Sequence, residues 1–330
     1  MVQLVLGIES TAHTFSASVV SSDGRILSNA KNVYRPREGG GIHPFEAAQS
    51  HIKAAAGVLE TALRESGIGA DELDSVCYSM GPGLGPCLRV GAVVARSLAS
   101  SLGVPLVPVN HAVGHIELGC LMCGSDDPVV LLVSGGHTMV IAHSGTRWRV
   151  LGETLDLTLG QLLDQFGRSA GLASPCGRAI EEAASRSSAY RRLPYSVKGN
   201  DVSFSGLLTS AKRMHESGAP FDDVCFSIQE TAFSMVVEAT ERALAFTGKT
   251  EVMIVGGVAA NSRLSDMMST MVERHSARYT VMPLRYSGDC GAQIAWTGYL
   301  AGTAGVAVPV RESVVKQSWR LDSVDTPWRS

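Results

Sequence analysis

No stretch of this chain stays apolar for the roughly 20 residues that a bilayer-spanning helix needs. The apolar start, Met1 to Gly7, carries no basic flank or small-residue cleavage site before structured-looking sequence begins. Neither a membrane anchor nor a secretory leader is expected. Disulfides are not expected either. The seven cysteines, Cys77, Cys87, Cys120, Cys123, Cys176, Cys225 and Cys290, are odd in number and scattered, which predicts free thiols in a reducing cytoplasm. Positive charge is also scarce. With 28 Lys and Arg against 31 Asp and Glu the net charge is -3, so the chain as a whole has no footprint for a polyanion. A nucleic-acid substrate would need a local basic patch or partner subunits. What is plentiful is glycine, 35 copies, beside 45% apolar and 18% charged residues. That balance suits a glycine-rich α/β enzyme, and 330 residues suffice for two lobes of ordinary domain size.

Hydrophobic periodicity divides the chain into two cycles. The first opens with strands over Val2–Ile8 and Thr14–Ser21, a hairpin turn at Asp23-Gly24 before Arg25–Lys31, and a Gly- and Pro-rich functional loop over Arg35–Pro44. A helix over Phe45–Ser66 follows, then a strand at Asp74–Ser79, a turn at Gly81-Pro82-Gly83 and a helix around Arg89–Leu102. The cycle ends with a strand at Pro105–Val109 and a helix that Asn110 can cap. The second cycle begins with strands Val129–Val133 and Thr138–His143, joined by a tight turn at Ser134-Gly135-Gly136. Helical patterns follow at Leu159–Ser169, Gly177–Arg186 and Val224–Phe246, then strand Val252–Val255 and a helix near Ala260–Glu273. Strand Tyr279–Pro283 and helix Asp289–Ala301 close the cycle, and a charged tail after Val310 packs across the surface. The matching openings predict two related lobes around a cleft.

His111-Ala-Val-Gly-His115 is the strongest local signal. Residues four apart share a helix face, so both imidazoles can reach one ion, and they serve equally well as a packed pair. Asp289, after a strand and turn, is a candidate third ligand or a plain helix N-cap. Cys120 and Cys123 extend the histidines into His-x3-His-x4-Cys-x2-Cys, a spacing that superficially resembles a structural zinc site. Their other reading is two buried apolar thiols. Leu132-Val133-Ser134-Gly135-Gly136 and Val255-Gly256-Gly257 each place two glycines after a buried strand, where unhindered backbone N–H groups can wrap a phosphate or simply make a turn. Gly7-Ile8-Glu9-Ser10-Thr11 is a third candidate phosphate loop, carried by Glu9, Ser10 and Thr11 on the first hairpin.

Taken together the chain resembles the tRNA N6-adenosine threonylcarbamoyltransferase family, in its archaeal and eukaryotic branch. The resemblance rests on ordered blocks at Leu6–Thr11, Gly39–Pro44, Gly81–Arg89, Asn110–His115, Val133–Thr138, Gly152–Asp156, Leu193–Gly199, Phe204–Gly206, Gly256–Asn261 and Asp289–Ala292, with Trp319-Arg320, Asp322 and Pro327-Trp328 near the end. It implies an α/β, actin-like ATPase fold, with lobes over 1–126 and 127–299 and a tail over 300–330 that packs back on the surface. It implies His111, His115 and Asp289 as ligands of one divalent ion, iron or else zinc. Leu132, Val133, Ser134, Gly135 and Gly136 would then line the metal and phosphate segment, together with Gly256 and Gly257. Asp164, Gly177 and Glu181 would hold the ribose of an ATP- or AMP-type nucleotide, threonylcarbamoyl-AMP or a nucleotide with Mg2+, and Asn261 its adenine. Carboxylates can accept from ribose hydroxyls and an amide can pair with a base edge. Implied partners are tRNA, a small kinase or ATPase subunit, a dimerising helical subunit and a tRNA-binding accessory subunit, all of the KEOPS type, in the cytoplasm.

Three positions depart from the family pattern. Leu132 stands where archaeal relatives usually carry Tyr, and Cys176 and Arg178 flank Gly177 where Gly and Pro are preferred. Cys120 and Cys123 belong to no family motif. The reaction implied is transfer of a threonylcarbamoyl group to N6 of the adenosine beside the anticodon in tRNAs reading codons that begin with A. No residue is assigned as general base. A metalloprotease is the older reading of such histidine pairs, but its general base normally follows the first His, where this chain has Ala112, and Glu117 is poorly placed for the task. A small-molecule kinase or nucleotide-binding scaffold of the same fold would carry an acidic base, and usually an Asp where Ile8-Glu9 stands here.

Overall fold

The computed structural model describes residues 2–36 and 41–329. Gly39 and Gly40, part of the loop singled out above, lie outside the described residues. The first sheet is built from β1 (Leu4–Glu9), β2 (Thr14–Ser21), β3 (Ala30–Val33), β4 (Ser75–Gly81) and β5 (Leu106–Asn110), in the order β3-β2-β1-β4-β5. Its first three strands are antiparallel and the last two join β1 in parallel. The second sheet uses β6 (Val129–Val133), β7 (Thr138–Ser144), β8 (Arg147–Glu153), β11 (Glu251–Val255) and β12 (Arg278–Val281), in the order β12-β11-β6-β7-β8. Read from β8, that is the same meander with two parallel strands added. A two-stranded ribbon, β9 (Val197–Lys198) with β10 (Asp201–Val202), forms a small sheet of its own and meets the chain after β8 through Val202 opposite Thr154.

Strand alternation explains the layers. In β1, Leu6 and Ile8 pack against α1 (Pro44–Ser66) and α2 (Gly85–Leu102) with Ala55, Val58, Ala92 and Ala95. Val5 faces the opposite way, into a core shared with α3 (His111–Cys123) and α10 (Gly291–Thr303). In β6, Leu131 and Val133 face α4 (Leu159–Ser169), α5 (Gly177–Ala184), α7 (Phe221–Thr247) and α8 (Ser262–Arg274). The intervening Leu132 joins the core of α3 and α10. Both sheets are therefore covered on two faces, as sheets with parallel strands require.

Helix α10 follows the second sheet through the short α9 (Leu284–Ser287), yet it lies on the first. Glycines permit this approach. A Cβ on Gly7 would sit 2.2 Å from the Ala295 nitrogen, and one on Gly291 would sit 2.5 Å from the Ser18 nitrogen. Helix α3, which leaves the first sheet at β5, packs in turn against β11, β6 and β12.

Some elements differ from the sequence expectations. The segment Arg25–Lys31 does not extend the hairpin: Leu27 N–H donates to the Val19 carbonyl and Ser28 Oγ accepts from Val19 N–H, so regular pairing resumes only at Ala30 opposite Ala17. Strand β8 and helix α6 (Ser205–Glu216) were not anticipated. Each presents few apolar residues: β8 buries Trp148 and Gly152, and α6 buries Leu207, Leu208 and Ala211. The last helix begins at Gly291 with Cys290 in the cap position, so Asp289 is not its N-cap.

Candidate metal centre

Asn110 ends β5 and starts α3 without an intervening loop. Its side-chain oxygen accepts from Ala112 and Val113 N–H at 3.0 and 3.2 Å, while its amide donates to the Trp319 carbonyl at 3.1 Å. This cap fixes His111 as the first helical residue and His115 one turn later, both buried. The two rings meet edge to face, 4.7 Å apart. Asp289 arrives from the other side, just before α10. Its Oδ1 lies 3.6 Å from His111 Nε2 and 3.4 Å from His115 Nε2. The ligand atoms of His111, His115 and Asp289 all fall within 4.8 Å of one another, a grouping that meets the needs of one ion.

His111 is braced on its far side. Its Nδ1 lies 3.0 Å from Glu9 Oε2, 3.1 Å from Gln293 Nε2 and 3.3 Å from Thr11 Oγ1. Thr11 donates its hydroxyl and its backbone N–H to Glu9 Oε1 at 2.5 and 2.6 Å. Strand alternation places Glu9 on the same face as Val5, so its carboxylate points at α3. A carboxylate on Nδ1 turns the Nε2 lone pair toward Asp289, the arrangement that orients a metal-bound imidazole. The expectation of a phosphate loop here meets a geometric difficulty: Thr11 N–H is taken by Glu9, and Ser10 N–H donates to Ser79 Oγ at 3.0 Å.

Electrostatics separates the three imidazoles. Burial opposes a charge on His111, but Glu9 and Asp289 outweigh it and raise its pKa to about 9. His115 is lowered, chiefly by burial, with His111 adding and Asp289 opposing. His137, whose ring stacks 6.0 Å from that of His111, is pushed down to about 3 by burial and by both neighbouring histidines. Burial would raise the Asp289 carboxyl, yet His115 and His111 hold it well below the ordinary range.

The donor set fits a divalent cation. His115 Nε2 is buried with no hydrogen-bond partner: Asp289 is within ion-pair distance but out of hydrogen-bond alignment. An orphaned buried polar atom costs about 1–3 kcal/mol, and an ion between the three ligands would satisfy it. Leu132 is fully buried among apolar side chains and supplies no fourth ligand. Cys120 and Cys123 lie outside the cluster, and burial raises the Cys120 thiol to about 12, so the four-residue zinc site is not formed. Glu117 is held by Arg329 at 2.7 Å on both carboxylate oxygens and by Trp148 Nε1 at 3.0 Å, which removes it as a protease base.

The glycine turns adjoin one another because β6 and β11 are parallel neighbours, with Leu132 opposite Val255. Gly256 has φ 98°, and a Cβ there would lie 2.3 Å from the Val133 carbonyl oxygen. Ser134 Oγ accepts from Gly136 and His137 N–H at 3.1 and 3.0 Å, holding the first turn, while Gly135, Gly136 and Gly257 are exposed. Asp164 accepts from Ser174 Oγ at 2.7 Å, Cys176 N–H at 3.2 Å and Arg168 Nε at 3.0 Å, so it organises the turn before Gly177. Buried Cys176 fills the space beside Gly167, where a Cβ would meet it at 2.4 Å. Glu181 accepts from Ser262 N–H at 2.8 Å, beside Asn261. Asn261 caps α8 through Leu264 N–H at 3.1 Å and donates to Gln229 at 2.7 Å. Sequence reasoning missed Gln293 and His137; Gln293 lies in the first turn of α10, four residues after Asp289, a closeness that could have suggested it.

A family model and the relatives by sequence agree on one family. The family model described as TsaD, tRNA N6-adenosine threonylcarbamoyltransferase, matches residues 25–296. A protein named tRNA N6-adenosine threonylcarbamoyltransferase from Thermofilum pendens is 51% identical over 327 residues, 99% of this chain and 97% of the relative. A probable bifunctional tRNA threonylcarbamoyladenosine biosynthesis protein from Methanothermobacter thermautotrophicus is 50% identical over 98% of this chain, which spans 61% of that protein. Among solved structures, HypF of T. kodakarensis matches with a TM-score of 0.64 at 16% identity over 92% of this chain, which spans about half (47%) of the HypF chain. That likeness shows the fold, of the actin-like ATPase kind.

Proposed function

The chain belongs to the tRNA N6-adenosine threonylcarbamoyltransferase family, and from that premise we propose that it moves the threonylcarbamoyl group of threonylcarbamoyl-AMP to N6 of the adenosine beside the anticodon in tRNAs reading codons that begin with A. The observation that carries the reading is the triad of His111, His115 and Asp289, with the unpartnered Nε2 of His115 inside it. These three residues would hold one divalent ion, iron first and zinc second. When bound, the ion supplies Lewis acidity to an anionic or carbonyl oxygen of the substrate. Glu9 and Thr11 fix the His111 ring.

The turns at Leu132, Val133, Ser134, Gly135 and Gly136 and at Gly256-Gly257 hold the phosphate of the donor, with the exposed Gly135 and Gly257 facing it as AMP leaves. Gly177 and Glu181 approach the ribose and Asn261 the adenine, and Asp164 supports them by holding the turn before Gly177. Any Mg2+ in this scheme arrives on the phosphates of the nucleotide, since the protein carboxylates nearby are engaged. The attacking amine is a weak nucleophile, so positioning supplies much of the rate. We read residues 1–126 and 127–299 as the two lobes and 300–330 as a surface tail. Among the described residues no helix is long and apolar enough to cross a membrane; we assign the protein to the cytoplasm, acting with KEOPS-type kinase or ATPase, dimerising and tRNA-binding subunits.

The test is His111→Ala with His115→Ala, assayed with partner subunits for transfer and, separately, for bound metal by elemental analysis. Loss of both is expected. Full transfer by the double variant would overturn the reading.

A further inference from the structure

A chain of net charge -3 must grip a polyanion locally, and one segment has the required composition. Between Ser185 and Lys198 the sequence holds Arg186, Arg191, Arg192 and Lys198, no acidic residue, and two tyrosines at 190 and 195. It follows α5 as an irregular stretch strapped along α7. Leu193 is buried, Arg191 N–H donates to Ser227 Oγ at 2.8 Å, and Ser187 Oγ donates to Asp223 at 2.7 Å.

Between this segment and α7 runs a groove of about 380 Å³, lined by Tyr190, Tyr195, Phe226, Glu230 and Thr231 among others. The volume lies within the roughly 300–1,000 Å³ typical of small-ligand sites. Both tyrosines are about half exposed, at 54% and 50%, although they are large aromatic side chains. Neither ring is loose. The Tyr190 hydroxyl is 3.1 Å from Thr231 Oγ1, and the Tyr195 hydroxyl donates to Glu238. The acids at the groove are neutralised: Arg263 grips Glu230 with two hydrogen bonds, at 2.5 and 2.7 Å, and Arg242 pairs with Glu238. Arg186 and Arg191 are spent on Asp222 and Asp223. Arg192 and Lys198 are exposed and make no ion pair among the described residues. Gln229, on α7 between Phe226 and Glu230, touches the Asn261 amide, so the groove adjoins the candidate nucleotide site.

We propose that this groove is a binding site for single-stranded RNA, in which Tyr190 and Tyr195 flank an unstacked base and Arg192 and Lys198 take the neighbouring phosphates. Aromatic rings held open to solvent beside unpaired cations are the usual platform for such strands. The inference rests on the reading of tRNA as acceptor and specifies where its loop is held.

The test uses the full chain with a substrate-tRNA anticodon stem-loop in a fluorescence binding titration, and the partner-complete assembly for kinetics on tRNA. Tyr190→Ala and Tyr195→Ala should each weaken stem-loop binding roughly 5- to 100-fold and raise the KM for tRNA more than they lower kcat. Tyr190→Phe and Tyr195→Phe, which keep the rings, should bind like the parent. Arg192→Ala and Lys198→Ala should each lower the slope of log affinity against log salt by about 0.7. AMP affinity should stay unchanged in all of them. Unaltered RNA affinity and KM in both alanine variants would overturn the proposal. So would loss of AMP binding in their place, which would make the groove a mononucleotide pocket. A parent protein that binds the stem-loop through these tyrosines yet transfers nothing to tRNA would overturn the proposed reaction and leave the groove standing.

Discussion

Metal binding at the triad should release one proton at neutral pH, and that proton should come from His111. In the apo-protein Glu9 and Asp289 favour the imidazolium, raising the pKa from 6.5 to about 9. His115 and Asp289 are both lowered, so neither carries a competing proton at pH 7. An ion must therefore displace the Nε2 proton of His111 alone. From pH 7 the apparent affinity should rise close to tenfold per unit, bend at about pH 9, and level off above it about 100-fold or 2.7 kcal/mol higher in total. The sign for stability is the reverse. Because the folded pKa is raised, the contribution of His111 to apo-protein stability is complete below about 6.5 and is lost as pH rises through about 9. Calorimetric titration of zinc into the apo-protein, repeated in buffers of different ionisation enthalpy, counts the protons directly. About one is expected at pH 7 and none well above pH 9. An affinity that is flat over this range, with no proton released, would refute the role assigned to Glu9.

Two further outcomes follow from packing. Gly7→Ala places a methyl 2.2 Å from the Ala295 nitrogen and 2.3 Å from the Gly291 carbonyl oxygen, both backbone atoms that cannot rotate away; a loss of at least about 1–3 kcal/mol is expected in denaturant melts, and an unchanged midpoint would contradict the close approach of α10 to β1. Removing one member of the buried Arg329–Glu117 pair, as in Arg329→Met, should cost about 3–5 kcal/mol, and pairing it with Glu117→Leu should recover part of that loss; equal stability of the single and double variants would show that the two do not interact.

Much of the architecture was legible because it is written in local pattern. The continuously apolar, fully buried strand at Val129–Val133 and the glycine turn after it announced themselves, as did the helix carrying His111 and His115. What escaped depends on residues far apart in the chain. Glu9 reads as one residue of a loop until β1 is aligned beside β4 and β5, which brings it to His111, 102 positions away. Gln293 touches the same ring from 182 positions away. Asp289 stood open between third ligand and helix cap on local sequence, and its place beside both histidines comes from the packing of α10 on α3. Asp164 and Asn261 were read as ligand contacts from the resemblance, whereas their side chains also hold local turns, a duty that spacing does not disclose. Strand β8 was missed because Arg147 and Arg149 interrupt its apolar character, one facing Asp325 in the tail.

The crossed placement of α3 and α10 has a thermodynamic consequence. Two ligands are fixed to a helix that leaves the first sheet, and the third to the segment that returns from the second. Because α3 and α10 pack on each other, and α10 lies on the first sheet, the histidines and the aspartate share one support. An ion held by all three would tie the segment returning from the second sheet to the helix leaving the first, and by reciprocity whatever steadies that crossing would tighten the ion. Metal retention would then report how firmly the segment around Asp289 is seated on α3.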